Sequence, residues 1–155
     1  MKRNGHDRQE RYITFKLRDN LIGVNILDIR EIVKQVNISA VPQAPAAVKG
    51  LINLRGQIMT VLDIGQLMGF GNTGVEESSH VIVFKRRNAG FLVDRIGDLV
   101  VVDPSQTEPV PANMDEGIKS YMDLLIHIKS QIIMTVNTSK ILAYNPLKLR
   151  HAEDF

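Results

Sequence analysis

The sequence predicts an all-β protein built from two small β-barrels packed side by side. About ten short apolar segments are separated by turns roughly every 8 to 12 residues, a spacing typical of sandwiches and barrels. Only two stretches show helical periodicity, so a parallel α/β sheet, which needs a helix between successive strands, is not favoured. The two halves of the chain also share several short motifs, which indicates two like units.

Length and composition agree with this class. The chain has 155 residues, 44% hydrophobic and 23% charged, which is enough for one ordinary domain or two small ones sharing an interface. The absence of cysteine excludes a disulfide framework, a thiolate nucleophile and a zinc ribbon. Residues 1–11 are polar, so we expect a flexible tail and no signal peptide. No apolar run approaches the roughly 18 residues of a membrane span, and we predict a cytoplasmic protein.

The first predicted elements are two strands and a short helix. Residues Tyr12–Leu17 alternate as a strand, and a polar turn leads into a second strand, Leu21–Ile26. The period then changes, because apolar side chains recur with the i, i+3, i+4 spacing as far as Val36. We therefore predict a helix over Leu27–Lys34.

A segment with two prolines follows. Pro42 and Pro45 fix φ twice and remove two N–H donors, so the segment can be neither a central strand nor a helix interior. We expect an ordered extended linker in which both prolines have a structural role.

The central predicted element is a hairpin. Two apolar runs, Val48–Leu54 and Ile58–Ile64, flank a tight turn formed by Arg55 and Gly56. Gly56 is assigned to the turn because glycine reaches positive φ without steric cost. Arg55 then lies at a strand end, where its guanidinium can bind a carboxylate or backbone carbonyls.

The remainder predicts a linker, further strands and a terminal helix. Gly69–Ser79 is rich in Gly, Ser and Glu and has no period, so we expect a flexible linker. A helix is expected from Ser139 until Pro146, with Thr138 or Ser139 as its N-cap. The predicted strands of this half are Val81–Phe84, Gly90–Asp94, Ile96–Val102, Met122–Lys129 and Ile132–Val136.

The internal repeat is visible in the sequence itself. Val41-Pro42 recurs as Val110-Pro111, and Gln57–Val61 recurs, with one insertion, as Gln131–Val136. Such a repeat favours two similar barrels over one larger one.

The sequence contains a match to a dinucleotide-binding motif, but the match lacks the structural context that the motif requires. Gly69–Gly74 matches G-x-G-x-x-G, but that motif must follow a strand and open a helix whose N-terminus holds the pyrophosphate. Here Glu76 and Glu77 would face that phosphate, and the next strand begins too soon for a helix. The flexible-linker interpretation is preferred.

Catalytic and metal chemistry have no positive support. The four histidines lie far apart and lack i, i+4 partners, so no metal site is predicted. Asp28, Asp63 and Asp94 lie beside turns, where carboxylates usually cap backbone N–H groups. No Ser-His-Asp set or nucleophile elbow accompanies them, so we predict a protein that is not an enzyme.

The residues leave two points undecided: an alternative function, and whether an apolar groove lies between the barrels. A basic small-barrel nucleic-acid binder is the alternative function, since Lys85-Arg86-Arg87 lies in a predicted hairpin, although aromatics are only 5%. An apolar groove between the barrels is the other; periodicity does not separate groove from core. Its candidate residues are Ile29, Val36, Ala46, Ala47, Phe91 and Ile96.

Three longer motifs resemble the CheW family of chemotaxis coupling proteins. The first is Val41–Pro45 followed by Lys49–Gly56 and Leu62-Asp63. The others are Gly23–Ile26 with Ile29–Ile32, and Leu92–Val100. The likeness covers about Tyr12 to Tyr144, nearly the whole chain.

This resemblance implies a fold, a function and a site. It implies two SH3-like five-stranded barrels, at about 15–79 and 80–144, in a single CheW-like domain over 12–155. The N-terminal strand is open to pairing with the second barrel. It also implies an adaptor without catalysis or cofactor, recruited to membrane receptor arrays, that joins chemoreceptor tips to the regulatory domain of the kinase CheA. Carried over residue by residue, receptor contact falls on Ile29, Glu31, Gly50, Asn53 and Arg55.

Overall fold

The structure, a computed structural model, describes residues 9–34 and 37–144. The described residues form mainly short β-strands. In chain order these are β1 (Glu10–Leu17), β2 (Asn20–Asn25), β3 (Ile29–Lys34), β4 (Val48–Leu54), β5 (Gln57–Leu62), β6 (His80–Phe84), β7 (Ala89–Val93), β8 (Arg95–Val102), β9 (Thr107–Pro109), β10 (Met122–Ile128) and β11 (Gln131–Val136). The helices are α1 (Ile64–Leu67), α2 (Glu116–Tyr121) and α3 (Thr138–Leu142), with 3₁₀ turns at Ile26–Asp28 and Pro104–Gln106.

The strands form two sheets, each the wall of a small SH3-like barrel. The first barrel has the strand order β3-β6-β7-β5-β4, and the second has β8-β1-β2-β11-β10-β9. Both are mixed sheets, because β5 runs parallel to β7 and β11 runs parallel to β2. The predicted fold class, two SH3-like barrels side by side, is confirmed, with six strands rather than the predicted five in the second sheet because the short β9 pairs with β10.

The first barrel uses the consecutive strands β3 to β7, and the second combines β1 and β2 with β8 to β11. β3 follows β2 in the chain but pairs with β6 of the first barrel, and β8 follows β7 but pairs with β1 of the second. The first barrel therefore needs strands from residues 80–93, and the second needs residues 10–25. The predicted division at residue 79 runs through the first sheet, so the sheets do not follow it.

Three apolar clusters result, one inside each barrel and one between them. The cluster inside the first barrel contains Val61, Val81 and Leu92, and the one inside the second contains Ile126 and Ile133. The cluster between the barrels is the largest, and we refer to it as the shared core. Its members include Phe15, Leu17, Ile22, Val24, Leu62, Ile64, Ile82, Phe84, Phe91, Val93 and Ile141.

The shared core explains the continuous apolar runs of β6 and β7. Val81 and Val83 face the interior of the first barrel, while Ile82 and Phe84 face the shared core. Successive side chains of a strand point to opposite faces, so a strand between two cores is apolar throughout. The ring of Phe91 lies 5.4 Å from that of Phe84, centroid to centroid.

The helix predicted over Leu27–Lys34 is wrong. After one 3₁₀ turn the chain forms β3, whose side chains alternate between partly buried and exposed, with Ile32 37% exposed. The isoleucine and valine positions that suggested a helical period also fit a strand, and pairing with β6 selects the strand. Val36 lies outside the described residues.

The terminal helix begins one residue earlier than predicted. Its N-cap is Asn137, whose side chain accepts a hydrogen bond from the Lys140 N–H at 3.1 Å, rather than Thr138 or Ser139. The part of this prediction beyond residue 144 lies outside the described residues. Within the described residues, no helix has the length and apolar character needed to cross a membrane.

Candidate interaction site

The β4–β5 turn is the centre of the candidate site. Leu54 pairs with Gln57, and the two residues between them have positive φ, 51° at Arg55 and 89° at Gly56. Two positive φ angles define a type I′ turn, which matches the twist of the flanking strands. The Asn53 side-chain oxygen accepts a hydrogen bond from the Gly56 N–H at 2.9 Å and fixes the turn. Gly56 thus occupies the turn position that the sequence assigned to it.

Arg55 forms an ion pair with Glu31. One guanidinium nitrogen of Arg55 donates to both carboxylate oxygens of Glu31, which lies on β3. The Arg55 side chain is 71% exposed and that of Glu31 is 25% exposed. Solvent screens such a pair, so it contributes at most about 1 kcal/mol to stability. The pair nevertheless presents a preoriented guanidinium at the end of the first barrel.

Gly50 is needed for the backbone geometry of β4. It is buried at a bulge of β4 and has φ of +153°. A Cβ placed there would lie 2.3 Å from the carbonyl oxygen of Ser39, which bridges to Leu51. Only glycine permits this close approach of two backbones.

Ile29 packs against the shared core and is partly buried. The structure therefore brings together three of the five predicted contact residues, Glu31, Asn53 and Arg55. Gly50 lies within the sheet, and Ile29 lies where β3 leaves the shared core.

The predicted groove residues divide between core and surface. Phe91 is fully buried in the shared core, and Ile96 packs against that core, as Ile29 does. Ala47 is buried, whereas Ala46 is exposed. The core interpretation therefore holds for Phe91.

The proline segment is ordered but not extended. Pro42 and Gln43 are the central residues of a turn closed by a 3.2 Å hydrogen bond from the Ala44 N–H to the Val41 carbonyl. Gln43 has φ of 62°, as a type II turn requires at its third position. Pro45 begins a second turn, closed by the Val48 N–H at 2.9 Å. Two consecutive turns replace the predicted extended linker.

Asp63 anchors the segment that was predicted to be a flexible linker. The Asp63 side chain is fully buried and accepts hydrogen bonds from the Thr73 N–H at 2.8 Å and the Thr73 hydroxyl at 2.7 Å. It also caps α1 through the Gln66 N–H at 3.3 Å. The prediction of a flexible linker is wrong over Gly69–Gly74, because this part is fixed against a buried carboxylate.

Asp94 behaves as predicted for a turn carboxylate, and Asp28 does not. The Asp94 side chain accepts a hydrogen bond from the Arg18 N–H at 2.6 Å. Asp28 uses its backbone carbonyl instead, which accepts from the Lys85 N–H at 2.9 Å.

A polar cavity lies beside the second barrel, and sequence reasoning missed it. It has a volume of about 340 Å³, and its lining includes Glu10, Tyr12, Asp28, Asp123 and Asn137. The Tyr12 hydroxyl donates to the Glu10 carboxylate at 3.3 Å. Burial of the phenol, and then the nearby carboxylates, raise the pKa of Tyr12 to about 12. No sequence signal joins these residues, since they come from β1, the turn after β2, β10 and the N-cap of α3.

No described group of His, Asp and Glu side chains could hold a metal ion. His127 contacts the Glu108 carboxylate across the β9–β10 pair, and both side chains are about half exposed.

Two SH3-like barrels lie side by side, the first formed by the run β3 to β7 and carrying the Arg55–Glu31 pair at one end. This arrangement defines a double-barrel protein of the kind that the sequence motifs resemble. Residues 11–145 match the family model described as the CheW-like domain. The chain therefore belongs to the CheW-like family.

Individual relatives agree with this assignment. The chain is 30% identical over 132 residues to the chemotaxis protein CheW of Rhizobium meliloti (strain 1021), covering 83% of this chain and 84% of the relative. It is 25% identical over 142 residues to the chemotaxis protein CheW of Klebsiella aerogenes, covering 90% and 86%. The crystal structure of the scaffolding protein TtCheW from Thermoanaerobacter tengcongensis has a TM-score of 0.75 and 28% identity, covering 83% of this chain and 88% of that one.

Proposed function

We propose that this protein is a non-enzymatic adaptor that couples chemoreceptors to the histidine kinase CheA. Membership of the CheW-like family carries this proposal, because the named relatives are chemotaxis proteins and a similar solved structure is called a scaffolding protein. The adaptor acts in the cytoplasm, at membrane receptor arrays. It needs two binding surfaces and no reacting groups.

The geometry supports a receptor contact at the end of the first barrel. Arg55 is mostly exposed and is oriented by Glu31, and the turn that carries it is fixed by the Asn53 side chain. A helical receptor hairpin that packs against this end of the first barrel would meet these polar groups, in a helix-in-groove mode of recognition. In this proposal Glu31, Asn53 and Arg55 contact the receptor directly. Gly50 and Ile29 act by holding β4 and β3 in place.

The test is co-elution with the regulatory domain of the CheA partner. Size-exclusion chromatography with light scattering should give the mass of a complex, and a receptor cytoplasmic fragment should join it. A folded kinase domain that never co-elutes would overturn the coupling to CheA. A complex that forms but fails to recruit the receptor fragment would overturn the receptor half of the proposal.

The alternative function, nucleic-acid binding, makes an opposite prediction. Binding through phosphates weakens steeply with salt, so a gel shift should be strongest at low ionic strength. The adaptor proposal expects no shift of a mixed-sequence duplex or single strand under those conditions.

A further inference from the structure

We infer that the β6–β7 end of the first barrel binds an acidic segment of a partner protein. The residues concerned are Arg30, Lys85, Arg86 and Arg87, which we call the basic end. The inference rests on the proposed function in one respect: the acidic segment belongs to a protein that the adaptor joins.

The basic end is held in place by hydrogen bonds to three different strands or turns. The Lys85 N–H donates to the Asp28 carbonyl at 2.9 Å, and the Asn88 carbonyl accepts from the Thr60 N–H at 3.1 Å. The Arg30 guanidinium donates to the Arg87 carbonyl at 3.3 Å, which ties β3 to the turn. The four charges are therefore presented on a fixed backbone.

The same barrel end carries the Arg55 turn. β5 begins directly after Arg55 and Gly56 and runs parallel to β7, with Thr60 opposite Ala89. The β6–β7 turn therefore lies beside β5. Thr60 is three residues after Gln57, or about 10 Å along a strand. The basic end therefore adjoins the candidate receptor site.

The charge at this end is not neutralised within the described part of the chain. Arg30, Lys85, Arg86 and Arg87 are all exposed, and within residues 9–34 and 37–144 none of them pairs with a carboxylate. Glu31 is bound to Arg55, and the side chain of Asp28 lines the polar cavity. A cluster of one sign attracts a partner surface of the opposite sign and orients it during encounter.

A carboxylate is the ligand that this end already binds. Arg55 holds the Glu31 carboxylate, which shows that a guanidinium on this surface can engage a carboxylate. Residues 85–88 contain no aromatic side chain on which a base could stack. Asp28, whose carbonyl accepts from the Lys85 N–H, lines the polar cavity together with Glu10 and Asp123. A long polyanion that continued past Lys85 would meet these carboxylates, whereas a short acidic segment would not.

The first experiment uses hexaglutamate as the probe of the full chain. We expect ¹⁵N–¹H spectra at low ionic strength to show shifts concentrated at residues 85–88 and Arg30, with the shifts lost as salt is raised. No shift at these amides, or larger shifts elsewhere, would overturn the inference.

The variant Arg86→Ala/Arg87→Ala tests the charges themselves. It should lower hexaglutamate affinity about tenfold, the size expected for two exposed charge contacts. The matched control is Lys16→Ala/Arg95→Ala, which removes two cations facing each other across β1 and β8 and should leave affinity unchanged. Equal losses in both variants would mean that net charge, not this site, binds the peptide. Circular dichroism shows whether each variant is folded.

Two further probes separate the classes of partner. Tighter binding of an oligothymidylate of equal charge would assign the basic end to nucleic acid, and sedimentation with phosphatidylglycerol vesicles would assign it to a membrane surface; either overturns the inference.

The proposed function is tested separately with the same variants. Loss of kinase-domain or receptor-fragment binding in Arg86→Ala/Arg87→Ala, but not in the control, supports both proposals. If Arg86→Ala/Arg87→Ala binds both partners as tightly as the natural sequence does, the inference about the basic end is overturned and the adaptor function is not. If the natural sequence binds hexaglutamate but neither the kinase domain nor the receptor fragment, the adaptor function is overturned and the inference about the basic end is not.

Discussion

At the scale of single residues, some of the predicted contact positions are accessible to a partner and others are buried for structural reasons. Arg55 and Glu31 are accessible and paired, whereas Gly50 is buried at a bulge that only glycine permits. A substitution at Gly50 that weakens receptor binding would therefore report damage to β4 before it reported a lost contact. Arg55 is the position at which binding can be tested without disturbing the fold.

We expect Arg55→Ala to keep the fold and weaken the receptor-containing assembly. The unfolding free energy should fall by no more than about 1 kcal/mol, because the lost ion pair is exposed to solvent. Thermal unfolding by circular dichroism measures the first effect, and receptor-fragment binding measures the second.

The matched control is Arg95→Ala, which removes an exposed arginine at the start of β8 and should change neither property. A collapsed circular dichroism spectrum for Arg55→Ala would show that Arg55 is structural and would remove it from the proposed site.

Tyr12 predicts a specific loss of stability at high pH. Its pKa rises from 10.0 to about 12 on folding, so between these values the unfolded chain loses the phenolic proton and the folded chain keeps it. The unfolded state then binds fewer protons, and the unfolding free energy falls as pH rises, by about 2–3 kcal/mol in total. Below pH 10 this contribution is fully present.

Urea unfolding of the natural sequence and of Tyr12→Phe at matched pH values isolates this effect. The natural sequence should lose stability relative to Tyr12→Phe from pH 10 towards pH 12, because phenylalanine has no proton to lose. A difference that does not change with pH would contradict the raised pKa.

At the scale of elements, the internal repeat extends to the helices that follow the two hairpins. Asp63 caps α1 after β5, and Asn137 caps α3 after β11, each by accepting a hydrogen bond from an N–H three residues later. The two positions differ in their other partner, since Asp63 also holds Thr73. The Asp63 carboxylate therefore caps a helix and also binds Thr73, whereas the Asn137 amide caps a helix.

Asp63→Ala should lower the unfolding free energy by about 3 kcal/mol. It removes a helix cap and leaves the buried N–H and hydroxyl of Thr73 without their acceptor. Asp63→Asn should cost less, because asparagine caps the equivalent helix in the second half. Urea denaturation gives both values.

The control for this pair is Asn137→Ser, which should be close to neutral because either residue is a good N-cap and no charge is added to the cavity lined by Glu10, Asp28 and Asp123. An Asp63→Ala variant within about 0.5 kcal/mol of the natural sequence would show that the Thr73 contacts carry little stability.

At the scale of the whole molecule, the shared core and the insertion of the first barrel between β2 and β8 make the barrels interdependent. The first barrel takes β6 and β7 from beyond residue 79, and the second takes β1 and β2 from the start of the chain. The shared core draws on both sheets, with Phe15 from one and Phe84 and Phe91 from the other. The molecule should therefore unfold as one cooperative unit.

Fragments cut at the predicted division, 9–79 and 80–144, should not fold separately. Each lacks strands of its own sheet and would expose the shared core to water. Circular dichroism and ¹⁵N–¹H spectra of each fragment test this, and mixing the two should restore structure. A fragment that gives a dispersed spectrum alone would show that its barrel is independent.

The sequence by itself determined the class of fold, most strand positions, the Arg55-Gly56 turn and the family. These depend on local patterns: alternation, turn glycines and motif spacing act within a few residues of the chain. The tertiary structure alone decided that Ile29–Lys34 is a strand, that Asp63 fixes Gly69–Gly74, and that Glu31 meets Arg55. Each depends on contacts between segments that are not neighbours in the chain. The periodicity of Ile29–Lys34 suited a helix as well as a strand, and its place beside β6, some fifty residues later, selected the strand.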